Sequence, residues 1–96
     1  MLENLFNENT ISILDLLFDD PVASFDKDTL QQMSCLTGYI GDIDFQDAIN
    51  TLLYYGLITV NGNDVSLNLD SKIIDNLLVI DTLISKEESK KPFYNA

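Results

Sequence analysis

The sequence predicts one mainly helical α+β domain carrying a small β-hairpin, and three observations predict it. Apolar residues recur at three- and four-residue steps in four stretches, each bounded by a proline, a glycine or a capping residue. The dipeptide Asn61-Gly62 stands between two β-compatible runs, which is a strong local hairpin signal. The chain has 96 residues, 46% of them hydrophobic, enough for a single modest core without metal or disulfide staples.

Taken in order, Leu2, Leu5 and Phe6 suggest a short docked segment. Asn9 or Thr10 can then cap a first helix. Ile11, Leu14, Leu17 and Phe18 give that helix an inward stripe, with Ser12, Asp15 and Asp19 on the other face. Asp20-Pro21 ends it, because the residue before a proline is pushed out of helical geometry. Val22 to Phe25 is too short for a helix and reads as a small edge strand. Asp26, with Thr29 three residues on, caps a second helix that turns Leu30, Met33 and Leu36 inward and closes at Thr37-Gly38. Tyr39 to Asp42 reads as a turn.

Asp44 is then expected to cap a third helix over about residues 44–55, with Phe45, Ala48, Ile49 and Leu52 buried. Gly56 stops it, and Leu57 falls where a Schellman motif places its apolar contact. A hairpin over about residues 57–69 turns at Asn61-Gly62 and sets Val65, Leu67 and Leu69 on one face, Ser66 and Asn68 on the other. Asp70-Ser71 caps a last helix over about residues 71–85. The domain is expected to fill residues 1–85, with 86–96, including Pro92, Phe93 and Tyr94, as a flexible tail.

Helix, short strand, helix, helix, hairpin, helix is the order of a winged helix-turn-helix. The residues support the same comparison. Leu52, Gly56, Leu57 and Ile58, followed by Leu67 to Ser71, are similar to the run from third helix through wing to last helix in small winged-helix transcription regulators, especially those of archaeal type. Residues 5–17 also look like that family's first helix. The resemblance covers roughly residues 1–85 and implies sequence-specific DNA binding, with the third helix in the major groove and the wing on the backbone.

Charge departs from that pattern. Sixteen acidic residues face five lysines, with no histidine and no arginine, for a net charge of -11. The third helix offers Asp42, Asp44, Asp47, Asn50, Thr51 and Tyr54 where a DNA reader needs basic or hydroxylic groups, and the hairpin tip, Asn61 to Asp64, holds no lysine. Because phosphate neutralisation supplies most of the affinity for nucleic acid, this face is unsuited to direct DNA binding. The sequence therefore points to a regulator-like binding module of transcription regulation that meets a protein with a basic surface. A DNA-binding winged-helix regulator is the alternative. The same acids at a helix start also complement the helix dipole.

Ile73, Leu77, Ile80 and Ile84 alternate four- and three-residue steps, a coiled-coil seam, with Ile74, Leu78 and Asp81 offset from it. Homodimerisation through that helix is the expectation. Nothing points to catalysis: histidine is absent, no glycine-rich loop follows a strand, and no basic residue in the central region clamps a phosphate. The chain is read as no enzyme, with no cofactor and no metal; a calcium loop fails because Asp47 stands where its turn needs glycine. Cys35, the single cysteine, excludes an internal disulfide and is read as a small buried hydrophobe. The absence of a basic apolar leader, with no run of about 20 apolar residues, makes the expected setting cytoplasmic and away from membranes.

Overall fold

A computed structural model describes residues 1–34 and 40–90. The expectations for Cys35, Leu36, Thr37-Gly38, Tyr39 and the last residues, 91–96, lie outside the described residues. The elements, after a 3-10 turn at Leu2–Asn4, are α1 (Glu8–Asp19), β1 (Ser24–Asp26), α2 (Lys27–Met33), α3 (Asp42–Tyr54), β2 (Ile58–Asn61), β3 (Asp64–Leu67) and α4 (Lys72–Ser89). The fold is thus α+β, mainly helical, with one antiparallel three-stranded sheet in the order β1-β3-β2.

The cap of α1 is Asn7, not Asn9 or Thr10. Asn7 Oδ1 accepts the backbone N–H of Thr10 at 3.0 Å, and Thr10 Oγ1 accepts the N–H of Asn7 at 2.9 Å, a reciprocal capping box. The buried Thr10 hydroxyl also donates to the Leu5 carbonyl, which ties the N-terminal turn to the helix. Beginning the helix earlier leaves the inward stripe as Thr10, Ile13, Leu14 and Leu17, and Ile11 is half exposed. Ser12 is buried, contrary to the expected outer face, because its hydroxyl is satisfied within the helix by the Glu8 carbonyl at 2.8 Å.

Asp20 caps the C-terminus of α1, and a turn through Pro21, closed by the Ala23 N–H on the Asp20 carbonyl, leaves Val22 exposed and delays the strand to Ser24. Asp26 caps α2 by accepting the Thr29 N–H at 3.3 Å. That short helix turns Leu30 and Ser34 inward at a four-residue step, so Met33 falls to the side and is half exposed.

Helix α3 starts two residues before Asp44, on Gly41, so Asp42 belongs to its first turn. Its buried stripe is Phe45, Ala48, Ile49 and Leu52. A full Schellman motif ends it: Gly56, at φ 73°, donates to the Leu53 carbonyl, and Leu57 donates to Leu52 at 2.9 Å.

The hairpin turns one residue later than the Asn61-Gly62 signal suggests. Asn61 pairs with Asp64, leaving Gly62-Asn63 as the two-residue loop, with positive φ at Gly62 alone. Asn63 ties the loop to the junction of β1 and α2. Its carbonyl accepts the Lys27 N–H, and its amide donates to Asp26. Phe25 and Val60 flank the buried Val65 across the sheet. The strand ends at Leu67, so Leu69 is exposed and does not share the face of Val65 and Leu67.

Asn68 connects the hairpin to α4. Its amide donates to the Gly56 carbonyl at 2.8 Å, and its backbone carbonyl accepts Ser71 N–H. Ser71 then caps α4 through the N–H of Ile74. The helix runs to Ser89, four residues past the expected end and into the expected tail. Only Ile74 of its 18 residues is buried. The core therefore lies among α1, α2, α3 and the sheet, and α4 rests on it by its first turns.

Candidate interaction surfaces

The predicted acidic face of α3 separates into three parts. Asp42 lies on the side facing α2, where the Gln31 side-chain amide reaches both the Ile40 carbonyl and Asp42 Oδ1, each at 2.9 Å. Asp42 thus helps join α2 to α3 and leaves the open face to others. Asp44, Asp47 and Thr51 lie together on the opposite flank, where they wall a shallow polar hollow with Asn7, Glu8 and Asn9 at the start of α1. Asn50 and Tyr54 occupy the outer ridge. Asn50 accepts from the Gln46 amide at 2.9 Å, and Tyr54 is 83% exposed.

This geometry follows from helix periodicity. With Phe45, Ala48, Ile49 and Leu52 facing the core, Asp44, Asp47 and Thr51 fall on one outer edge by three- and four-residue steps. The Thr51 hydroxyl donates to the Asp47 carbonyl at 2.9 Å, leaving the two carboxylates as the prominent acceptors of the hollow. Glu8, which the sequence reading did not single out, supplies a third carboxylate because the capping box turns the start of α1 towards α3. Ile43, 79% exposed and set between Asp42 and Asp44 in sequence, was also missed: it departs from the buried stripe.

No lysine or arginine occurs between residues 28 and 71, so α3 and the hairpin carry no positive side chain to offset these acids. Beside the hairpin turn, Asp26 is held below the ordinary carboxylate range. The Asn63 amide is the first cause and the Thr29 backbone N–H the second.

Tyr54 and Tyr55 end α3 with their rings edge to face, 5.1 Å apart at 87°. Tyr55 is the less exposed of the two, although it is not buried.

A second surface is apolar. Phe6, Ile11, Leu14 and Phe18 from the N-terminal turn and α1 face Leu77, Ile80 and Ile84 of α4 across an open groove. Of the predicted seam, Leu77 packs partly on the core, whereas Ile73, Ile80 and Ile84 are about half exposed. Ile74 and Leu78 are the residues that seat α4 on the domain, with Asp81 half-buried at the groove. The α1 side of this groove was not anticipated, since the expected stripe sent Ile11 and Phe18 inward.

Among the described residues no group of three or more metal-ligating side chains occurs, and no helix is long and apolar enough to cross a membrane. No family model matches the chain, and neither a curated protein nor a solved structure does.

Proposed function

We propose that the chain is a non-catalytic, winged-helix-type binding module of transcription regulation, which receives a basic protein surface on the flank of α3. The observation that carries this reading is the hollow walled by Glu8, Asp44 and Asp47 on a stretch that lacks any positive side chain from residue 28 to 71. Such a surface raises the local concentration of cationic groups and repels polyanions. The order of the elements, with the β2–β3 hairpin following α3 and α4 closing the chain, supports the winged-helix part of the reading. Tyr54, exposed at the end of the same helix, gives the surface an aromatic anchor of large area at low entropy cost.

The acids act here as a platform. Each exposed ion pair they form with a lysine or arginine contributes about 0.2–1 kcal/mol, so the affinity comes from several together and declines with salt. The test uses a fluorescein-labelled lysine-rich peptide followed by anisotropy. Asp44→Asn with Asp47→Asn should weaken its binding by roughly 2–30-fold, the range two such pairs give. Asp19→Asn with Asp20→Asn, an equal change of charge at exposed positions on the far end of α1, should leave it within twofold. Equal losses from the two pairs would mean that only net charge matters, and the platform would be refuted.

A further inference from the structure

The groove between α1 and α4 is a separate surface from the acidic hollow, and an inference about it stands or falls independently. Helix α4 is about 27 Å long at 1.5 Å per residue, yet beyond its first turns it presents Val79, Ile80, Leu83 and Ile84 largely to water. The stretch from Val79 to Ser89 is too short to be a stable helix on its own, and contiguous apolar patches of this kind mark contact sites.

We propose that the groove is filled by α4 of a second copy of this chain, laid antiparallel, so that two chains form a symmetric dimer with each last helix in the other's groove. The spacing of the seam argues for this occupant. Its steps are four, three and four, the same read in either direction. A two-fold axis midway between Leu77 and Ile80 sets Ile73 opposite the partner's Ile84 and Leu77 opposite the partner's Ile80, so every apolar residue of the seam meets another.

Charge selects the direction. The antiparallel register sets Asp81 beside the partner's Asn76 and Asp75 beside the partner's Thr82. A parallel register would set Asp81 against the partner's Asp81 and Glu88 against the partner's Glu88. Ile11, Ile73, Ile80 and Ile84, each between 41% and 56% exposed, lie with the partly buried Phe6 and Phe18 along the groove and its α4 wall, so the apolar strip that a second copy covers runs the length of the seam. Because each chain carries a net charge of -11, the two copies repel, so association should tighten as salt screens that repulsion.

Sedimentation equilibrium of the full chain provides the test. The expected result is a species of twice the 10.8 kDa chain mass at several hundred micromolar, tightening between about 0.05 M and 0.5 M salt. Ile80→Ser with Ile84→Ser should be monomeric over the same range with an unchanged far-ultraviolet spectrum, and Val22→Ser, at an exposed position away from the groove, should still dimerise. The direction is read by oxidation of single-cysteine variants in a Cys35→Ser background. An equal mixture of Ile73→Cys and Ile84→Cys should cross-link. Ile84→Cys alone should not, because antiparallel packing separates the two copies of that position by about 16 Å along the axis, beyond disulfide reach. A monomer at every concentration and salt, a dimer indifferent to Ile80→Ser with Ile84→Ser, or cross-linking of Ile84→Cys with itself would each overturn the proposal.

Discussion

Ile74 and Ile84 lie on the same helix, ten residues apart, and the structure assigns them opposite energetic roles. Ile74 is completely buried and is the only residue of α4 in the fully buried core, whereas Ile84 is 56% exposed. Ile74→Ala removes three carbons from a site without access to water. At about 0.8 kcal/mol for each buried methylene the transfer loss alone is about 2.4 kcal/mol. The unfilled space adds to it, which places the total at about 3–4 kcal/mol, inside the range of about 2–5 kcal/mol for such truncations. That is a large part of the about 5–15 kcal/mol that stabilises a small domain. A domain of this length loses about 4–8 °C in Tm per kcal/mol, so the variant should melt at least 12 °C lower. Ile84→Ala should change the stability of the isolated chain by less than about 0.5 kcal/mol. Urea unfolding followed by far-ultraviolet circular dichroism measures both, in protein dilute enough that no association contributes. A loss below about 1 kcal/mol for Ile74→Ala would mean that the first turns of α4 are not seated on the core, and the description of that helix would be wrong.

Two further predictions concern the turns that position α3 and the hairpin. Gly56→Ala should cost about 1–2 kcal/mol by urea unfolding, because φ is positive there and an alanine must be held in left-handed geometry. Open space around the added carbon excludes a larger loss from collision. Asp26 has its carboxyl held below the ordinary range, so its ionised form favours the folded state. That contribution is complete above the unfolded value of about 4 and is lost as pH falls through the lower folded value. The difference in urea midpoint between the chain and Asp26→Asn should therefore be largest near neutrality and shrink as the solution is taken below the unfolded value of about 4. A difference that grows on acidification would contradict the hydrogen bonds assigned to this carboxylate.

Much of the fold was legible because it depends on local chemistry. The stripe of Phe45, Ala48, Ile49 and Leu52, the glycine stop at Gly56 and the caps at Asp26 and Ser71 need only neighbours within a turn of helix. The hairpin register was not legible, for a specific reason. Turns at Asn61-Gly62 and at Gly62-Asn63 give registers that differ by two residues, and a slip of two keeps every side chain on its original face. The alternation of Val65 and Leu67 is therefore equally satisfied by both. The choice is made by β1, which is distant in sequence: Lys27 donates to the Asn63 carbonyl and Asp26 receives the Asn63 amide. In α1 the error arose from treating Thr10 as a cap when it is the third helical residue, reaching back to Asn7.

The candidate surfaces followed the same division. Asp44, Asp47 and Thr51 were readable as neighbours because they share one helix. The contributions of Glu8 to the acidic hollow and of Phe6, Ile11 and Phe18 to the groove were not, since both require α1 to be docked before they exist. Asp42 belongs to the same acidic run in sequence, yet Gln31, eleven residues earlier, draws it into the joint between α2 and α3.

The central claim is that the α3 face receives a protein and not a nucleic acid, and the most direct measurement is fluorescence anisotropy of a labelled duplex titrated with the chain at low salt. Phosphate contacts are strongest there, and a basic DNA-binding domain shows even non-specific affinity of roughly 10⁻⁴–10⁻⁶ M at physiological salt. The account predicts no change in anisotropy up to tens of micromolar protein. Binding that weakens steeply as salt is added would mean that phosphates are being neutralised, and the assignment of the α3 face to a protein partner would be contradicted.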